Sequence, residues 1–244
     1  MGGQHALAVA KLTINAVLLV PAICFLVGHG KSGFLGWLYL SILCVLQITG
    51  NAIYLSNPSS PGGTIISSIC LSPLLLAILG VLNEALRVAF SCVLHLLIAT
   101  AIGLVAAGAA DAASQNPKPS SQSLVKIGII IILAAWFIIF VWALSAAPSA
   151  YSTPVRMNTK STVERASQNQ RKDKFLSAIL LALVIAAIRV IYTVVLVFAH
   201  SGDLDPLSQS LAVEACLNAL PEMVVVILLE AIGFVLLKDR RKTQ

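Results

Sequence analysis

Charge is what this sequence has least of. Only 11% of its 244 residues are Asp, Glu, Lys or Arg, against about 25% in an ordinary soluble chain. A soluble domain of this length must cover its surface with polar groups, and these charges are too few to do so. With 58% hydrophobic residues, the chain needs an apolar solvent, and a lipid bilayer is that solvent. Aromatic residues are sparse as well, at 6%, which counts against a site that stabilises carbocations on ring faces. The five cysteines (Cys24, Cys44, Cys70, Cys92 and Cys216) all fall inside apolar runs and make no CxxC pair. They read as small hydrophobes, so neither a disulfide framework nor a metal site is expected. GxSxG, HExxH and P-loop signatures are also missing, which excludes the commonest soluble-enzyme chemistries, and no cofactor is expected. No basic region precedes the first apolar run and no Ala-x-Ala-like site follows it, so that run is expected to stay as a helix. Gly2 has no Ser or Thr at residue 6, and the myristoylation pattern fails.

What is present is a series of apolar runs separated by polar punctuation. A helical crossing needs roughly 20 apolar residues, and seven runs qualify: about 10–28, 34–55, 64–82, 88–108, 124–147, 175–199 and 213–237. The third and fourth are parted only by a tight turn at 83–87. The expected fold is therefore all-α, a polytopic membrane helix bundle forming one domain over 1–244. An odd number of crossings puts the termini on opposite sides, and the basic residues say which side is which. Lys31, Arg87, six Lys/Arg in 156–174 and four in 238–242 fall on one side, while Lys11, Lys118 and Lys126 fall on the other. The excess predicts the N-terminus outside and the C-terminus in the cytoplasm. The net charge of +6 thus reflects flanks of apolar spans, and membrane lipids rather than nucleic acid are the expected partner. The segment 148–174 is rich in Ser, Thr, Gln and Arg without apolar periodicity, so little fixed structure is expected there.

Ionisable residues inside a span are costly and mark candidate functional positions. Arg189 lies near the middle of the sixth span, too far from either end to snorkel easily. The seventh span carries Glu214, Glu222 and Glu230, with Pro221 just before Glu222. Counting from each midpoint at 1.5 Å per residue, Arg189 and Glu222 come to similar depth, which predicts a buried charge pair. Glutamates eight apart turn by about 80° on an ideal helix, so the three are not expected to share one stripe. His95, Gln47, Asn51, Asn15 and Tyr192 are further polar candidates facing the bundle interior, either as hydrogen-bonding glue or as part of a site. Trp37, Tyr39 and Tyr54 lie near span ends and read as interfacial anchors.

Several strings together resemble a family of fungal seven-helix membrane proteins known as a domain of unknown function, DUF7702. They are His29-Gly30 with Gly36-Trp37, Ser56-Asn57-Pro58, and the run from Leu71 through Ser72 and Pro73 to Ala77. Further on come Arg189 with Tyr192, and Glu222 ahead of three consecutive valines. Two features depart from that pattern: the third and fourth spans are joined by a short connection, and Lys11 stands where an acidic residue is usual. The resemblance implies seven helices and a fungal source, and it selects Arg189, Tyr192 and Glu222; it implies no activity. Three functions fit the residues. A receptor-like bundle would hold a small lipophilic molecule among its helices, with Arg189, Glu222, Tyr192, His95, Gln47 and Asn51 as the candidate site. An integral membrane enzyme, resembling a terpene cyclase or an isomerase of fungal secondary metabolism, would use Glu222 or Glu230 as its acid. A proton-coupled transporter would use the same charges, though no inverted repeat is visible.

Overall fold

The computed structural model of the chain describes residues 2–28, 30–58, 66, 69–86, 91–112, 114, 120–146, 159–199 and 211–241. Helices account for nearly all of them, as an apolar solvent requires, because a helix satisfies its backbone N–H and C=O groups within its own segment. They are α1 (Gly2–Gly28), α2 (Gly30–Ser56), α3 (Leu71–Leu86), α4 (Ser91–Ala112), α5 (Ser120–Ala146), α6 (Thr159–Ala199) and a composite α7. The last begins as Leu211–Val213, loosens into a π-helical segment over Glu214–Ala219, and continues as Leu220–Arg241. All but α3 are long and apolar enough to cross a membrane.

The helices alternate in direction. The end of α2 meets the start of α1 where Tyr54 bonds Gln4, and the end of α4 meets the start of α5 where Ser121 donates to Asp111. At the opposite end of the bundle, Gly28 at the close of α1 packs on Leu237 near the close of α7. The first and last helices therefore leave by opposite faces.

α3 is the axis. It touches α2, α4, α5, α6 and α7, and each residue from Leu71 to Leu82 is buried. A helix apolar all round belongs in such an interior. Its 16 residues reach about 24 Å, short of the roughly 30 Å hydrocarbon core. Two bonds prolong its path, Cys70 N–H to the Ile66 carbonyl at 3.2 Å and Leu74 N–H to the Cys70 carbonyl at 3.4 Å. Around it run α1, α2, α4, α5, α6 and α7. The gap between α2 and α4 is bridged by the rings of Tyr39 and His95, 5.7 Å apart. The outer face is apolar: Val27, Leu96, Phe137 and Phe234 are exposed, as side chains facing lipid would be.

Small residues set how closely the axis is gripped. Gly36 and Gly80 bring the backbones of α2 and α3 together, and a Cβ on Gly36 would sit 2.8 Å from the Val81 nitrogen. On the other side of α2, a Cβ on Gly233 would sit 2.5 Å from Trp37 Cη2. That glycine makes room for an indole that is 0% exposed and packed on Phe25 with ring centroids 4.8 Å apart.

Several sequence expectations are revised. Trp37 is not an interfacial anchor, because Gly233 and Phe25 give its ring a slot inside the bundle. Tyr39 stacks across to His95 instead. The expected turn at 83–87 is helical as far as Leu86, since no Gly or Pro interrupts it; 87–90 lie outside the described residues. The segment 148–174 is not uniformly irregular. From Thr159 onward it is a continuous extension of α6, 41 residues in all. No Gly or Pro occurs in that run, its Lys, Arg, Gln and Glu are good helix formers, and a helix already nucleated in the span propagates cheaply. The segments 147–158 and 200–210, and the tail 242–244, lie outside the described residues.

Candidate functional site

Polar side chains converge at the end of the bundle where α1 begins. On α1, Lys11 follows the exposed Gln4 by two turns and is itself buried, at 8% exposure. Its Nζ meets Glu214 Oε1 of α7 at 2.7 Å, and its carbonyl accepts a 2.8 Å bond from Asn15 Nδ2. On α2, Gln47, Asn51 and Tyr54 fall at helical spacing on one face. Asn51 Nδ2 donates to the Gln47 carbonyl at 2.6 Å and to Gln47 Oε1 at 3.3 Å, which orients the Gln47 amide. Gln47 Nε2 then donates to Glu222 Oε1 at 2.5 Å. The other carboxylate oxygen of Glu222 pairs with the Arg189 guanidinium of α6, and both side chains are almost wholly buried. Each charge offsets the other's desolvation, the condition under which two ions persist in a dry interior.

The π-helical segment explains how α7 serves both pairs. An α-helix would set Glu214 and Glu222 about 80° apart. A π turn takes up one extra residue, rewinding the helix by about 100°. Glu214, Asn218 and Glu222 therefore come close to one face. Glu230, eight residues of regular α-helix beyond Glu222, turns away by about 80°, so the three glutamates do not share one stripe. Pro221 favours the distortion, because it has no N–H to offer the preceding turn. The Leu220 N–H bonds to the Ala215 carbonyl five residues back.

Between these side chains lies a cavity of about 410 Å³. Gln4 and Tyr54, joined by a 3.1 Å hydrogen bond, mark one end of it. Gln47 and Arg189 mark the other, roughly 10 Å deeper at 1.5 Å per residue. Lys11, Asn51, Glu214 and Asn218 bring polar groups to its lining. Leu71, Val125, Ile129, Leu196 and Val197 bring apolar ones. Tyr192 and Thr193 line it from α6; the Thr193 hydroxyl donates to the Arg189 carbonyl at 2.9 Å. Tyr192 and Asn218 have no protein hydrogen-bond partner among the described residues.

Of the sequence candidates, Arg189, Gln47, Asn51 and Tyr192 line this cavity, and Glu222 holds Arg189 from behind. His95 stands apart on α4, where its Nδ1 is 2.6 Å from the Ser91 carbonyl. Glu230 is buried two turns further along α7, away from the cavity, with Oε1 unbonded among the described residues. Sequence reasoning assigned Lys11 to a span flank and Tyr54 to the interface, and it passed over Gln4 and Asn218. Lys11 carried a usable signal, a lone cation within an apolar run nine residues after the helix start. No group of three or more His, Cys, Asp or Glu among the described residues is placed to hold a metal ion.

Fold and site together define an all-α polytopic membrane bundle with a charge-paired polar cavity at one end. The chain belongs to the family of the domain of unknown function DUF7702, whose model matches residues 1–239. Comparison with curated proteins finds no match, and comparison with solved structures finds none either.

Proposed function

We propose that this integral membrane protein binds a small amphipathic molecule in the cavity between α1, α2, α6 and α7, as a receptor-like module. The observation that carries this reading is the cavity itself. Its volume of about 410 Å³ lies within the roughly 300–1,000 Å³ of small-molecule sites, and its lining combines hydrogen-bonding and apolar side chains. An enzymatic role for Glu222 is less well supported, because both of its oxygens are engaged by Arg189 and Gln47. Glu230 lies outside the cavity, so neither carboxyl is poised over a bound molecule.

The distribution of Lys and Arg supports an orientation with the cavity end outside and the basic C-terminal end in the cytoplasm. A membrane-impermeant reagent applied to intact cells then labels a tag at the N-terminus and spares one at the C-terminus; the reverse pattern refutes this orientation. Ligand binding is tested by purifying the protein in mild detergent and weighing it by native mass spectrometry. Wild type is expected to carry a co-purified small molecule that Asn218→Trp, which fills the cavity, excludes. Equal occupancy in a folded Asn218→Trp sample contradicts the reading.

A further inference from the structure

Resting on the ligand-binding reading, we infer that the molecule taken by this cavity has an uncharged hydrogen-bonding head, a hydroxyl or amide group, on an apolar body. The charges at the wall are already spent on one another. Lys11 is held by Glu214 at 2.7 Å, and Arg189 by Glu222, whose second oxygen is occupied by Gln47. A carboxylate or phosphate that reaches Lys11 or Arg189 meets a cation already neutralised and sets its own charge beside a glutamate. It gives up its hydration in a low-dielectric interior without an unpaired counter-charge to offset the loss, so binding gains little. An amine meets the mirror-image cost, because Glu214 is already neutralised by Lys11.

Beside these pairs stand neutral polar groups. Tyr192 offers a hydroxyl that both donates and accepts, and Asn218 offers an amide. Asn51 spends its Nδ2 on Gln47, which leaves Oδ1 as an acceptor. These three come from α6, α7 and α2 and face the same space. A head with adjacent hydroxyls matches such a mixed set without importing charge. Beside them, Leu71, Ile129 and Leu196 of the same lining give the body of the molecule an apolar surface on which burial is favourable.

The test uses the full-length protein in nanodiscs and three single-chain probes with the same twelve-carbon tail: monolauroylglycerol, laurate and dodecylamine. The glycerol ester is expected to bind at least about tenfold more tightly than either charged probe, the desolvation of an ion beside already neutralised pairs being the cost they carry. Tyr192→Phe and Asn218→Leu, checked for unchanged unfolding temperature, each weaken the ester and leave laurate as weak as before. Glu214→Gln frees Lys11 and raises laurate affinity. Laurate or dodecylamine binding as tightly as the ester overturns the inference while leaving the cavity a binding site, as does a Glu214→Gln protein that gains no affinity for laurate. Failure of all three probes to bind wild type overturns both the inference and the reading it rests on.

Discussion

Lys11 of α1 and Glu214 of α7 stand 203 positions apart in the chain and 2.7 Å apart in space. The contact ties the first helix to the last at one end of the bundle. The two partners differ in exposure, with 10% of the lysine side chain accessible and 37% of the glutamate. Removing one charge is therefore not equivalent to removing the other. Glu214→Gln strands an ammonium that water barely reaches, whereas Lys11→Met leaves a carboxylate that faces the cavity. The glutamate variant should be the less stable of the two. Their coupling in a double-mutant cycle, read from unfolding in mild detergent, should be about 1 kcal/mol because one partner is partly solvated.

The Arg189–Glu222 pair is a stronger case, since both side chains are nearly inaccessible. Glu222→Leu alone should cost about 3–5 kcal/mol by leaving a buried guanidinium uncompensated. Arg189→Met combined with Glu222→Leu should recover most of that loss. Gln47→Leu should cost about 1–3 kcal/mol, since it withdraws one donor from the carboxylate. Detergent unfolding of the three variants checks the order; a double variant as unstable as Glu222→Leu refutes it.

The π-helical segment can be tested by deleting one residue, Ala215. The deletion removes the extra residue, so a regular α-helix then holds Glu214 about 20° from Glu222, close to its present relation. Both the Lys11–Glu214 and the Arg189–Glu222 couplings should persist. The check is to repeat both double-mutant cycles in the deletion background. Loss of the Lys11–Glu214 coupling shows that the segment does not act as a one-residue insertion that aims Glu214.

Two glycines should respond in opposite ways to the same substitution. A methyl on Gly103 meets nothing within 4 Å, so Gly103→Ala should stabilise by up to about 1 kcal/mol through helix propensity. A methyl on Gly36 runs into the α3 backbone at Val81. Gly36→Ala should cost about 1–3 kcal/mol, the usual range for overpacking. Unfolding midpoints of both variants against wild type decide the matter.

The number and nature of the helices were legible because a long apolar run in a charge-poor chain has one stable fate in lipid. The depth match of Arg189 and Glu222 was legible for a similar reason, as helical rise converts position into depth without knowledge of packing. The central place of α3 was harder to see. Its neighbours are chosen by glycine contacts such as Gly36 with Gly80, and no local pattern announces a contact 44 positions away. Lys11 was misassigned because a cation near a span end ordinarily faces headgroups; only the π turn, which aims Glu214 at it, makes it a buried partner. The same turn brings Glu214 and Glu222 to one face, which periodicity misses because it assumes an undistorted helix; the 80° step holds between Glu222 and Glu230. The helical extension Thr159–Lys174 was missed because it has no apolar stripe, and its order comes from continuity with α6.

The most direct measurement of the central claim is photocrosslinking in nanodiscs with a monoacylglycerol bearing a diazirine in its tail, with adducts located by peptide mass spectrometry. The account predicts adducts on Leu7, Ile129, Leu196 and Val197, the apolar lining of the cavity, and their loss when unlabelled lipid competes. Adducts confined to outward residues such as Val17, Leu96, Phe137 and Phe234, unaffected by competitor, would contradict it.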